Sequence, residues 1–532
     1  MDFNILTALN DNIRIDREKC TGCARCVEVC VLDNLRLRLS PCRQACPLGM
    51  NCQGYIRHIA QGEVTKGAEK IRETVPFGGI LGRICSRPCE AECSRIKVDG
   101  QAVAIRDLKR YLSDGEEKVW SPPLREREEK VAVVGAGPAG LTAAFLLRSN
   151  GFKVTLYDRE SAPGGMMRWA VPEFRLPGEV LNRELGFIEA LGVDYQGNRA
   201  LGKEIELGRL QEKFGAVLIA TGAHGRAWLG IAGEDDAAVI PALDFLRQTH
   251  EAKTPRFSGK VVVIGGGNAA VDAAQTAWRL GAKEVSLVSL EREGEMPAFP
   301  WSVAEALEEG IRLQNGWGPM SFRFNGRKLS GVMFKKCVGV CDSSGAFCPE
   351  YDEKTTFEIA ADTVILAIGQ KVETGVADSR LQGPAGMNCH PATLQTADPS
   401  VFSAGDALRG PRSIVEAMAQ GREAAISIQR FLDGEDVEYG RVNPAPFEMN
   451  FEPDYSRAVK RARVASPMLP VGKRTLKSES AGVYSREEAL AEAERCLNCG
   501  LPYGVRTCWF CLPCEIECPE KALQVEIPYL LR

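Results

Sequence analysis

The sequence predicts an α/β chain with two Rossmann-like dinucleotide-binding units and small cysteine-rich segments at both ends. Three observations predict it. A glycine-rich strand-turn-helix pattern stands at residues 131–144, a second copy stands at 261–274, and sixteen of the twenty cysteines fall within residues 20–93 and 496–518.

A chain of 532 residues with 45% hydrophobic content can bury several cores, about three or four domains by length. With 66 basic and 70 acidic residues the net charge is -4, so no electrostatic feature points to nucleic acid. No apolar stretch approaches the roughly 20 residues needed to span a bilayer, and the N-terminus lacks the basic-then-apolar order of a signal peptide. A soluble, cytoplasmic protein is expected. In that compartment Cys-x2-Cys spacings mean metal rather than disulfides.

The first element, "IRIDREKCTGCARCVEVC", is a short strand followed by Cys20, Cys23, Cys26 and Cys30 at x2-x2-x3 spacing. The last, "CWFCLPCEIECP", repeats that spacing at Cys508, Cys511, Cys514 and Cys518 and adds the proline of bacterial ferredoxins. In a two-cluster ferredoxin the fourth cysteine of each run ligates the other cluster. The two runs therefore read as halves of one split ferredoxin. Cys20, Cys23 and Cys26 would share a 4Fe-4S cluster with Cys518, and Cys508, Cys511 and Cys514 one with Cys30. Closure of each run on itself gives the same iron count and stays open. A zinc-binding adaptor is the reading from another class, since Cys-x2-Cys pairs also suit structural zinc; the compact spacing favours iron. His58, His224, His250 and His390 form no cluster and are assigned no ligand role.

The first nucleotide unit opens after the charged stretch "REREEK". A β-rich run enters Gly135-x-Gly137-x-x-Gly140, an Ala/Leu-rich helix follows, and a second strand ends at Asp158. In the second unit Gly265, Gly267 and Ala270 take the three small-residue positions. In both, small residues let the backbone approach a pyrophosphate at a helix N-terminus. Two such units suggest electrons passing between two nucleotides. Cys337, Cys341, Cys348 and Cys389 read as ordinary core or loop cysteines. Residues 436–485 show no sustained period and read as a connector laid over the surface. Ser485 with Glu488 then forms a capping box ahead of a helix running into Cys496 and Cys499.

The segments "VAVVGAGPAGLTAA", "PGGMMRWAVPEFRLP", "VVVIGGGNAAVDAA", "REGEMPAF", "ILAIGQ" and "VFSAGDALRGPRSIVEAMAQGREAA" resemble the small subunit of NAD(P)H-dependent glutamate synthase. Kin of that family include the bifurcating ferredoxin:NADP transhydrogenase large subunit and the reductase half of dihydropyrimidine dehydrogenase. The resemblance covers about residues 40–435. It implies FAD at the first site and a nicotinamide nucleotide at the second, with the second unit inserted in the first. Gly135, Gly137, Gly140 and Asp158 would hold the ADP half of FAD; Gly164 with Gly165 resembles the flavin-contacting turn, and Gly405 with Asp406 the ribityl and pyrophosphate element. Gly265, Gly267, Asn268 and Ala270 would cradle the nicotinamide nucleotide. Where NADPH-using kin carry adjacent arginines, this chain has Leu290 and Glu291, so NAD(H) is expected over NADP(H). No catalytic side chain is expected, because hydride transfer belongs to FAD.

Upstream, "PCRQACPLGMNCQGYIRHIAQGE" and "GRICSRPCEAEC" resemble the family's helical iron-sulfur domain, with one cluster held by four cysteines and one by three plus a Gln or Glu. The position of that Gln or Glu reads Lys109, which cannot ligate iron. Cys42 and Cys93 with Cys496 and Cys499 would make the third cluster, and Cys46, Cys85 and Cys89 with an unusual Cys52 the fourth. The expected divisions are 1–38 and 486–532 (ferredoxin-like), 39–125 (helical iron-sulfur), 126–243 with 370–435 (FAD), 244–369 (NAD(H)) and 436–485 (linker). A subunit exchanging electrons between NAD(H) and a ferredoxin or separate redox-enzyme subunits, in a hetero-oligomer, follows; the glutamate synthase small subunit is the alternative.

Overall fold

The computed structural model describes residues 12–115, 120–251, 257–373, 379–383, 386–441, 447–456, 458–505, 508 and 511–526. The chain starts with β1 (Ile13–Ile15), α1 (Arg25–Glu28) and β2 (Leu35–Arg38). Helices α2 (Cys52–Ala60) and α3 (Ile105–Asp114) carry the helical region; Asn51 caps α2 by accepting the Gly54 N–H at 2.9 Å. Apolar side chains recurring along α2, Tyr55, Ile56 and Ile59, are buried in the same core as Leu108 and Leu112 of α3.

The first nucleotide unit is a parallel sheet of β3 (Lys130–Val134), β4 (Lys153–Tyr157), β5 (Asp194–Gln196), β6 (Ala216–Ile219) and a distant fifth strand, with α4 (Pro138–Ser149) between β3 and β4. Val131 to Val134 and all four residues of β6 are buried, as strands covered on both faces must be. The second unit is a parallel sheet of β7 (Val239–Pro241), β8 (Lys260–Ile264), β9 (Glu284–Ser289), β10 (Arg312–Asn315) and a later strand, with α5 (Asn268–Arg279) after β8. An antiparallel meander follows, β11 (Trp317–Asn325), β12 (Lys328–Cys341) and β13 (Phe347–Ala360), and β14 (Thr363–Leu366) completes the sheet in the order β10-β9-β8-β14-β7. The chain then returns to the first sheet through β15 (Val401–Ser403), which pairs with β6 in the order β15-β6-β3-β4-β5, and α6 (Ile414–Leu432) packs on α4.

The second sheet is thus an insertion between adjacent strands of the first. The division expected at residue 243 falls too late: Val239 and Ile240 already pair with Val364 and Ile365 of the inserted sheet. A three-residue strand carries no periodicity that tells which sheet it will join.

The connector also departs from a surface strap. Arg463 pairs with Glu90 at 2.9 Å, Arg474 with Glu308 at 2.7 Å, and the Ser480 N–H donates to Phe174 O at 3.0 Å, so it ties the helical region and both nucleotide units together. The capping box at Ser485 and Glu488 forms and opens α7 (Arg486–Ala493).

The chain ends meet. β16 (Pro502–Gly504) pairs antiparallel with β2, α8 (Pro513–Ile516) packs on α1, and β17 (Leu523–Val525) pairs antiparallel with β1. Ala24, Val27, Leu35 and Leu37 from one end share a small core with Leu523 from the other. Neither end has enough apolar surface for a core of its own.

Candidate functional site

The glycines of the first turn do separate jobs. A Cβ on Gly135 would lie 2.2 Å from Ala220 O, and one on Gly140 1.9 Å from Gly135 O, so both permit close packing. Gly137, the residue before α4, has no atom within 4 Å of that position, which leaves room for an anion before the helix N-terminus. Asp158 Oδ2 accepts the Ala136 N–H at 2.6 Å and Oδ1 the Glu160 N–H at 2.7 Å. Burial raises its pKa above the usual carboxylate value. Gly164 and Gly165 both have positive φ, 135° and 51°, and a Cβ on Gly165 would sit 2.7 Å from Gly137 Cα. Across the cleft, the Gly405 N–H donates to Gln420 Oε1 at 2.8 Å. Burial lifts Asp406 to about 6 while its Oδ1 accepts the Arg412 N–H at 3.1 Å. The N-cap of α6 is Ser413.

In the second turn Gly265 has φ 144°, with a would-be Cβ 2.3 Å from Ala367 O, while Gly267 again faces open space and Ala270 is fully buried. Asn268 Oδ1 accepts the Phe299 N–H at 2.9 Å and so fixes the loop ahead of Pro300. Glu291 Oε2 is buried without a hydrogen-bond partner, and a Cβ on Gly266 would lie 2.2 Å from it. That carboxylate therefore hangs over the glycine turn as a free acceptor. The neighbouring Arg292 is turned outward and donates to Val338 O at 2.9 Å.

Both turns, Asp158, Asp406, Asn268 and Glu291 line one continuous cleft of about 1500 Å³, and Cys85 reaches its wall. Gly140, Gly164 and Ala270 pack behind it. Sequence reasoning missed Arg175, which crosses the cleft from the first unit to Asp272, Gln275 and Ser302 of the second. Its partners lie about a hundred positions away, and no local pattern marks them. His224 also lines the cleft; burial holds it near 4, so it is neutral and bonds Thr221 O at 3.0 Å.

Cysteines from the two ends of the chain lie beside one another. Burial pushes Cys20 up to about 11, and Cys23 and Cys518 add to the shift. Cys514 is pushed up to about 11 by burial and then by Cys508, Cys30 and Cys511. Burial likewise raises Cys496 to about 12, beside Cys499 and Cys93, and Cys42 neighbours Cys496 and Cys93. Cys46, Cys52, Cys85 and Cys89 surround Lys109. Cys52 interacts with Cys42 and then with Cys89, and so links the two sets. Such buried thiolates repel one another unless a cationic core neutralises them, and an iron-sulfur core does so.

Lys109 supports the same fit. It is 3% exposed. Burial works against its charge, yet the thiolates of Cys85, Cys89, Cys52 and Cys46 outweigh burial and hold its pKa above the usual lysine value. A cation buried so deeply requires a compensating anionic group.

Residues 129–421 match the family of pyridine nucleotide-disulphide oxidoreductases. The chain belongs to this family. Residues 10–119 match dihydropyrimidine dehydrogenase domain II, 4Fe-4S cluster. Among curated relatives, the NADP(+)-dependent formate dehydrogenase subunit beta of Moorella thermoacetica is 35% identical over 505 residues, covering 86% of this chain and 70% of the relative. The NAD-dependent dihydropyrimidine dehydrogenase subunit PreT of Escherichia coli K12 is 33% identical, covering 74% and 92%. The glutamate synthase [NADPH] small chain of the same strain is 31% identical, covering 74% and 88%. The resemblance read from the motifs holds. The chain is an NAD(P)H-dependent oxidoreductase of the FAD and 4Fe-4S type. Among the described residues no helix is long and apolar enough to cross a membrane.

Proposed function

We propose that this chain is the NAD(H)-facing subunit of an electron-transfer complex, exchanging electrons between NAD(H) and a separate ferredoxin or redox-enzyme partner. The observation that carries this reading is the single cleft lined by both nucleotide turns and by Cys85. The cytoplasm is the compartment that suits it.

When bound, FAD converts between two-electron and one-electron chemistry, and the clusters carry single electrons. The protein's own residues position. The first turn, Asp158 and Asp406 hold FAD, the second turn holds the nicotinamide nucleotide, and Arg175 fixes one unit against the other through Asp272. Glu291 offers its unpaired oxygen to a ribose 2′-hydroxyl and repels a 2′-phosphate, which selects NAD(H).

The sixteen cysteines would hold four clusters: Cys20, Cys23, Cys26 with Cys518; Cys508, Cys511, Cys514 with Cys30; Cys42, Cys93, Cys496, Cys499; and Cys46, Cys52, Cys85, Cys89. Cys52→Ser is expected to lose about four irons. A full iron complement with an unchanged visible spectrum would remove Cys52 from the ligand set. A glutamate synthase small subunit is the weaker reading, because the paired chain ends add a ferredoxin-like unit and the relative of that name aligns with 74% of this chain. A zinc adaptor is the weaker reading from another class, because the compact x2-x2-x3 runs suit iron-sulfur.

Anaerobic addition of NADH tests the function. Bleaching of both the flavin band and the broad iron-sulfur absorption is expected. Flavin bleaching alone would show that the cleft does not feed the clusters.

A further inference from the structure

Close packing on three sides of α3 fixes Lys109 among cysteines. A Cβ on Gly82 would lie 2.7 Å from Arg110 Cα, so the helix Gly78–Ile84, which leads into Cys85, meets the backbone of α3 directly beside Lys109. Tyr55 on α2, whose first residue is Cys52, donates its hydroxyl to Ile105 O at 3.2 Å. The helix Pro88–Ala91, which carries Cys89, also packs on α3. Three cysteine-bearing elements thus converge on one helix, and Lys109 is the cation they enclose.

The other charges of this region are matched elsewhere. Arg106 lies 3.7 Å from Asp107, and Arg110 lies 3.3 Å from Asp114 and 2.9 Å from Glu479. Glu90, the buried carboxylate next to Cys89 in the chain, pairs with Arg463 at 2.9 Å. Lys109 is 3% exposed, and among the described residues it has no carboxylate partner. A cation so placed needs an anion from another source. The source at hand is the set Cys46, Cys52, Cys85 and Cys89.

We propose that Lys109 is the fixed countercharge of the cluster held by Cys46, Cys52, Cys85 and Cys89, and that it raises the reduction potential of that cluster. This rests on the ligand set given under the proposed function. A fourth thiolate makes a cluster one charge more negative than three thiolates with a neutral ligand would, and net charge is one of the terms that set its potential. The cation at position 109 offsets that charge. Reduction brings one electron onto the cluster and no atom, so Lys109 stabilises the reduced form more than the oxidised one. Cys85 reaches the wall of the nucleotide cleft, which places this cluster to take the first single electron from reduced flavin. A raised potential favours that transfer.

The test is a potentiometric titration of the intact holoprotein read by low-temperature EPR, following the signal that Cys85→Ser removes. Lys109→Met keeps the length of the side chain and loses its charge. It is expected to shift the ratio of oxidised to reduced cluster at a fixed potential about tenfold toward oxidised, which is about 59 mV for a one-electron couple. Lys109→Arg keeps the charge and should stay near the wild-type potential, whereas a purely structural role would disturb both variants alike. An unchanged potential in Lys109→Met, or equal shifts in the two variants, overturns the proposal. Loss of about four irons from Lys109→Met but not from Lys109→Arg supports it, and the same loss from both overturns it. Failure of the ligand set is read separately. Cys52→Ser with its full iron removes the four-thiolate cluster and the countercharge with it, while cluster loss in Cys52→Ser beside an unchanged potential in Lys109→Met removes only the role of Lys109.

Discussion

Arg495→Met is expected to destabilise the holoprotein by about 3 kcal/mol, the cost of removing one partner from a buried ion pair, and to strip about four irons from it. Arg495 is 1% exposed and joins the segment after α7 to the helical region. Its guanidinium bonds Glu492 at 2.6 Å, Asp99 at 3.0 Å, Ala102 O at 2.9 Å, Gln101 O at 2.8 Å and Arg461 O at 3.1 Å. Methionine fills the space but leaves Glu492, fully buried, without its cation. The loss stays at the lower end of the range because the Ala104 and Val464 N–H groups still donate to Glu492 and Arg95 still bonds Asp99. The next residue is Cys496, so the cluster lost should be that of Cys42, Cys93, Cys496 and Cys499. Denaturant unfolding with iron determination checks both parts; a midpoint and iron content equal to wild type would contradict the role.

The second large effect is on nucleotide choice. Wild type is expected to favour NADH, and Glu291→Arg to shift the ratio of kcat/KM for NADPH over NADH by about two to three orders of magnitude. Two contributions add: a repulsion between carboxylate and 2′-phosphate disappears, and a charge-assisted hydrogen bond worth about 1.5–3 kcal/mol becomes available. Glu291→Gln separates them, since it removes the repulsion and adds no cation; a smaller shift is expected. The free Oε2 and the outward turn of Arg292 motivate the prediction. Steady-state dye reduction with a wild-type preference for NADPH would contradict it.

Local chemistry was legible in the sequence, and long-range company was not. Gly135, Gly137 and Gly140 could be read because strand, turn and helix lie within a short stretch, and the structure gives Gly135 and Gly140 a steric reason and leaves open space at Gly137. The capping box at Ser485 and Glu488 was legible for the same reason. Lys109 was visible as a residue that cannot ligate iron; that it lies among four thiolates depends on α3 packing beside α2 and could not be read. The connector looked featureless because side chains such as Arg463, Arg474 and Arg110's partner Glu479 order it against distant partners, which leaves no periodic trace. The pairing of the two ends was suggested by the spacing of their cysteines. Spacing alone could not choose between crossed and local ligation, since both use the same eight residues.

Iron counts in paired cysteine variants test the split ferredoxin most directly. Cys30→Ser with Cys511→Ser removes two ligands of one cluster if ligation crosses between the ends, and one ligand from each of two clusters if each run closes on itself. The account predicts a loss of about four irons from this pair and about eight from Cys23→Ser with Cys30→Ser. The reverse result, about eight and then about four, would contradict it.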